Sequence, residues 1–151
     1  MEQEDKKIPF PQANDFDKIY DLICLEDELK LHDKEFLKNY LNLGTDRQIS
    51  YYLSASEFLG VITHSKEYSE LGIKIRNASA DLKILMICKK IVSLPVFGEV
   101  FLMKYLYNDY PNQEDIAQLI SLIYEIDNYE VCKRRASTVS KWLDWIDNNR
   151  Q

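Results

Sequence analysis

Four glycines and four prolines are all the chain-breaking residues in 151 positions. That scarcity constrains the fold more than any motif, because a many-stranded sheet needs turn residues about every 8 to 12 positions. Long helices joined by short turns satisfy it better, and the apolar residues recur at the three-and-four spacing of helices. Phe16, Ile19, Tyr20 and Ile23 mark a first helix. Phe36, Leu37, Tyr40 and Leu41 mark a second, entered through Asp33 as an N-cap.

Leu43-Gly44 then ends one helix, and Thr45-Asp46-Arg47-Gln48 is a capping box that starts the next. Helix, glycine turn, helix is a helix-turn-helix pattern. Ile49, Tyr52, Leu53, Ser56 and Leu59 share the inner side of this third helix, Arg47, Ser50, Tyr51 and Ser54 face outward, and Gly60 closes it. Val61-Ile62-Thr63 and the stretch around Tyr68, separated by His64-Ser65-Lys66, predict a small β-hairpin, a wing. Ser69 and Gly72 mark entry to further helix, and Leu82 to Val92, apolar except at Lys83, Lys89 and Lys90, predicts a helix enclosed between two halves. Further helices are predicted near Val96 to Tyr107, Asn112 to Ile126 and Tyr129 to Asp147, with Asn112 as a cap and Asp127-Asn128 as a turn.

The formal charge is −6, and the first 30 residues hold nine acids against four lysines. Lys133, Arg134, Arg135 and Lys141 reverse that sign over a stretch with no acid among them. At helical pitch Cys132, Ala136, Val139, Trp142, Leu143 and Ile146 fall on one side, and Arg134, Ser137, Thr138 and Lys141 on the other. The overall acidity excludes a protein that coats nucleic acid indiscriminately. A local basic face still acts within a Debye length of about 10 Å at 0.1 M salt.

These residues carry a family resemblance. Asp46-Arg47-Gln48 with Tyr51-Tyr52, Ala55 and Phe58-Leu59-Gly60 resembles the D-R-Q-x-x-Y-Y-x-x-A-x-x-L-G-L stretch of winged-helix modules in bacterial restriction-modification and AAA-associated proteins. Ser69-x-x-Gly72, the segment Leu94 to Phe101, and Arg134-Arg135-Ala136-x-Thr138-Val139-x-x-Trp142-Leu143-x-Trp145-Ile146 resemble later pieces of the same pattern. The likeness runs from about Asp15 to Ile146; it departs at Tyr68, where the pattern has leucine, and at Ser69, where it has threonine. It implies a mainly α (α+β) fold of tandem winged helices, three-helix units with a hairpin wing. The division would be a flexible lead-in over residues 1–13, a first winged-helix domain over 14–78 and a second helix-turn-helix, winged-helix-like, over 79–151. Only five residues follow Ile146, too few for a second wing, so the second unit is a bare helix-turn-helix or the chain is an excerpt of a longer protein.

In such units the third helix enters the major groove with its early residues nearest the bases. Arg134 is the candidate for a bidentate guanine or phosphate contact, Lys133 and Lys141 for phosphates, and Ser137 and Thr138 for adaptable hydrogen bonds. Arg47, Gln48, Ser50, Tyr51 and Ser54 have the same duty in the first half, with Gln48 also claimed by the capping box. Arg135 lies toward the apolar side, which points to a structural ion pair. Trp142 reads as core, while Trp145 falls on the polar stripe, where a neighbouring domain would cover it.

Catalytic chemistry finds no support: His32 and His64 are isolated, and neither a G-x-S-x-G nor a glycine-rich phosphate loop occurs. Glu28-Leu29-Lys30 matches the end of a restriction-nuclease motif, but lies at a helix end without the strand that motif requires. Cys24, Cys88 and Cys132 are too widely spaced for a metal cluster and read as reduced thiols. No cofactor, metal or membrane span is expected, and the polar, acidic opening predicts a cytoplasmic protein rather than a secreted one, while a bacterial source is what the resemblance implies. The sequence therefore predicts a non-catalytic module that binds double-stranded DNA, the recognition part of a restriction-modification system. A homodimer, or a fused or partner nuclease or ATPase, would complete it. A protein-interaction or oligomerisation module, motivated by Tyr51, Phe58 and Trp145, and a transcription regulator are the alternatives.

Overall fold

A computed structural model describes residues 9–150. Eight α-helices lie among them: α1 (Phe16–Cys24), α2 (Lys34–Tyr40), α3 (Asp46–Leu59), α4 (Glu70–Asn77), α5 (Ala80–Ser93), α6 (Phe97–Tyr107), α7 (Gln113–Tyr124) and α8 (Tyr129–Asn148). A 3-10 turn at Glu28–His32 joins α1 to α2. Residues 9–13 and 17–77 cluster into one unit, and residues 14–16 and 78–150 into another.

Local chemistry sets the helix ends. Asp33 accepts from the Phe36 amide at 3.0 Å, Asn112 from Asp115 at 2.8 Å, and Asn128 from Val131 at 3.1 Å. Each satisfies an amide that the first turn of a helix leaves without a carbonyl. Thr45 and Gln48 form the reciprocal capping box, and Gly60 ends α3 at φ 88°, a conformation glycine adopts without strain.

In the first unit α1 buries Ile19, Leu22 and Ile23 on one stripe, beside Leu31, Leu37, Ile49, Leu59 and Ile75 from the following elements. Of the expected flexible lead-in, residues 1–8 lie outside the described residues. Phe10 corrects the remainder: it is 4% exposed, and its ring centroid stands 5.5 Å from that of Phe58.

The wing is also corrected, and with it the α+β, tandem winged-helix fold: among the described residues there is no strand, and the fold is all-α. What remains of the hairpin is one antiparallel bridge between Ile62 and Tyr68. Tyr68 supplies the reason, because it turns inward. Its hydroxyl lies 2.6 and 2.8 Å from the carbonyl oxygens of Leu22 and Leu25 and donates there, and its amide donates to Glu28 Oε2 at 2.7 Å. The Arg76 guanidinium lies 4.7 Å from the ring centre. Glu28, read in sequence against a nuclease motif, is a partner of this tyrosine. Pairing stops where α4 begins, since the Ser69 hydroxyl accepts from the Gly72 amide at 3.0 Å. A Cβ on Gly72 would come within 2.1 Å of the Val61 carbonyl oxygen.

The second unit holds α5 to α8, with α7 and α8 packed along each other. Trp142 is its centre: the rings of Phe16 and Phe97 each lie 5.1 Å from it, Phe16 edge-on at 79°. α5 is not the enclosed helix expected, because Leu82 and Leu85 remain exposed.

Candidate nucleic-acid interface

α8 is long enough, at 20 residues, to carry a buried stripe and an open one. Cys132, Ala136, Val139, Trp142, Leu143 and Ile146 are buried, as their spacing requires. Lys133, Arg134 and Lys141 are exposed on the other side, with Ser137 half-exposed among them. None of the ion pairs among the described residues includes these three cations. Lys133 lies 5.8 Å from the Tyr129 ring centre, which holds its stem along the first turn. The exposed acids Glu130 and Asp144 bound the stripe at either end.

Thr138 does not belong to this face. It is 1% exposed, and its hydroxyl donates to Asn14 Oδ1 at 2.6 Å. Trp145 is likewise buried, its ring 4.6 Å from that of Phe16. Residues 14–16 cover this flank and widen the buried stripe beyond what α8 alone would show. Arg135 is half-buried, and desolvation lowers its guanidinium below the usual pKa.

The α3 set is differently engaged. Gln48 Oε1 accepts from the amides of Gly44 and Thr45 at 2.9 and 3.2 Å, so the capping box holds it. Arg47 Nε donates to the Tyr51 hydroxyl at 2.7 Å. Ser50 is exposed, Tyr51 and Ser54 are half-exposed, and the adjacent Asp46 pairs with Lys38 at 3.1 Å. One cation, already bonded to its neighbour, makes this a weaker anion surface than α8. Among the described residues no group of His, Cys, Asp and Glu is placed to hold a metal ion.

The sequence reading missed a second surface. Leu82 and Leu85 on α5, and Leu102, Tyr105, Leu106 and Tyr107 on α6, are exposed. The signal was present in α6, whose sequence FGEVFLMKYLY is apolar on every side, which a helix with one free face does not need. Tyr51 and Phe58 are half-buried and Trp145 is buried, so these three do not form that surface.

No helix is long and apolar enough to cross a membrane among the described residues. No curated protein and no solved structure matches the chain. Residues 18–151 match the model of the family described as Domain of unknown function (DUF7226), and the chain belongs to that family.

Proposed function

We propose that the chain is a non-catalytic module that binds double-stranded DNA through the outer face of α8. The observation that carries this reading is the exposure of Lys133, Arg134 and Lys141 on one helix face, where none of the ion pairs among the described residues includes them. Arg134 and Lys141 are seven residues apart, about 10 Å along the helix axis at 1.5 Å per residue. That is close to the rise of three nucleotides on one strand, roughly 3.4 Å each. Lys133 and Lys141 neutralise phosphates, Ser137 donates to a phosphate oxygen, and Arg134 has the forked geometry that fits a phosphate or the guanine edge.

The restriction-modification setting, with a partner or fused nuclease or ATPase, rests on the motif resemblance. The cytoplasmic location rests on three free thiols, which suit a reducing compartment.

The test is a salt titration of duplex binding by fluorescence anisotropy. Three phosphate contacts give a log-log slope of about −2.7, and Arg134→Ala or Lys141→Ala each make it shallower by about one. No binding to duplexes of varied sequence at about 50 mM salt ends the reading.

A further inference from the structure

Asn14 is an exposed residue held by a buried one. The Thr138 hydroxyl donates to its Oδ1 at 2.6 Å. Two residues on, Phe16 packs on Trp142 and Trp145, with ring centres 5.1 and 4.6 Å apart, and fixes the backbone beside it. A buried hydroxyl that loses its acceptor is costly, so the amide is held in one orientation, its oxygen toward α8. None of the hydrogen bonds among the described residues uses its nitrogen, and the amide oxygen keeps a second lone pair. Thr138 follows Arg134 by four residues and precedes Lys141 by three, so these positions are neighbours on the helix surface. Asn14 therefore presents a fixed donor and acceptor beside both exposed cations.

Resting on the DNA-binding reading above, we propose that Asn14 reads a base beside the α8 face and that this base is adenine. A side-chain amide pairs bidentately with adenine, donating to N7 and accepting from the N6 amino group. Charge decides between base and backbone. Asp15, next to Asn14, and Glu130 and Asp144, at the ends of the cationic stripe, are exposed acids. They repel a phosphate brought to the amide, while Arg134 and Lys141 draw the backbone to their own side. The neutral edge of a base meets no such repulsion. Thr138 touches no DNA in this arrangement; it is a positioning residue that acts through Asn14.

The test selects bound duplexes from a randomised pool with the full chain. Anisotropy then follows the selected duplex with each enriched adenine replaced in turn by 7-deazaadenine, which pairs normally but lacks the N7 acceptor. One such replacement is expected to weaken wild-type binding by about tenfold. Asn14→Asp keeps an acceptor for Thr138 but removes the donor; it weakens binding to the adenine duplex by about tenfold or more and no longer responds to that replacement. Thr138→Val releases the amide and shrinks the response without changing the salt slope. Selection with no enriched adenine, wild-type indifference to every replacement, or an Asn14→Asp chain that still responds, as a purely structural Asn14 requires, overturns the proposal. In those cases the DNA reading stands if Arg134→Ala and Lys141→Ala still make the salt slope shallower, whereas no binding at all ends both. Circular dichroism melts identify any variant that has lost its fold; the deaza replacements alter only the nucleic acid, so the wild-type arm can overturn the proposal even if a variant unfolds.

Discussion

The two units finish their surfaces in different ways. Of twelve large apolar side chains exposed among the described residues, the first unit contributes Leu29, Tyr40 and Ile73, and the other nine lie in α5 to α8. The first half is also the more acidic: residues 1–77 hold ten Lys and Arg against fifteen Asp and Glu, and residues 78–151 nine against ten. The first unit is closed by polar devices, the Thr45–Gln48 box and the inward Tyr68 hydroxyl. The second is built around Trp142 and leaves both its cationic stripe and its apolar face open. Little exposed apolar surface marks the first, and open cationic and apolar faces mark the second.

Removing the aromatic centre of the second unit breaks that contrast most severely. Trp142→Ala costs about 3–5 kcal/mol, by lost transfer energy and the cavity left between Phe16 and Phe97. Urea unfolding followed by Trp145 fluorescence measures it. A loss under about 1 kcal/mol would mean that the unit is not organised on this residue.

Tyr68→Phe tests the closure of the first unit and costs about 1–3 kcal/mol, since the single buried hydroxyl proton shared between the Leu22 and Leu25 carbonyl oxygens is lost. It is expected to lower the far-UV melting temperature and leave native tryptophan emission unchanged, because both tryptophans lie in the other unit. Burial pushes the Tyr68 hydroxyl up from 10 to about 12. The folded state therefore holds that proton more tightly than the unfolded chain does. The stability it contributes is complete below about pH 10 and is lost as pH rises through about 12. Tyr124, whose hydroxyl donates to the Pro95 carbonyl oxygen at 2.9 Å, is also raised to about 12 and does the same for the second unit. Melts from pH 9 to 12 are expected to decline less steeply in Tyr68→Phe; an unchanged slope would assign the alkaline loss elsewhere.

The smallest effect belongs to Thr45→Ala, about 1 kcal/mol for a lost N-cap. Thermal unfolding reads it directly. A change near zero would show that Gln48 holds the turn without its partner.

How far the fold was legible follows from the range of the interactions involved. Asp33, Asn112, Asn128, the Thr45–Gln48 box and Gly60 act within three or four residues, so the helix ends read from sequence are found in the structure. The wing was misread because Val61, Ile62 and Tyr68 have the β-branched and aromatic character of strands. Their burial, and the bond from Tyr68 to the end of α1, use that character differently. Of the candidate interface, Lys133, Arg134, Ser137 and Lys141 share an open face as their spacing requires. Thr138 leaves it, and Trp145 leaves the polar stripe, because residues 14–16 cover them, and no periodicity within α8 could reveal a cover about 124 positions away.

The order of residues alone determined the helices, their caps and the sign of charge along α8, since each depends on neighbours within a turn or two. Tertiary structure decided which polar residues are buried, whether a β-favouring stretch becomes a strand, and which apolar helix faces stay open. Those outcomes depend on segments distant in sequence competing to cover the same surface.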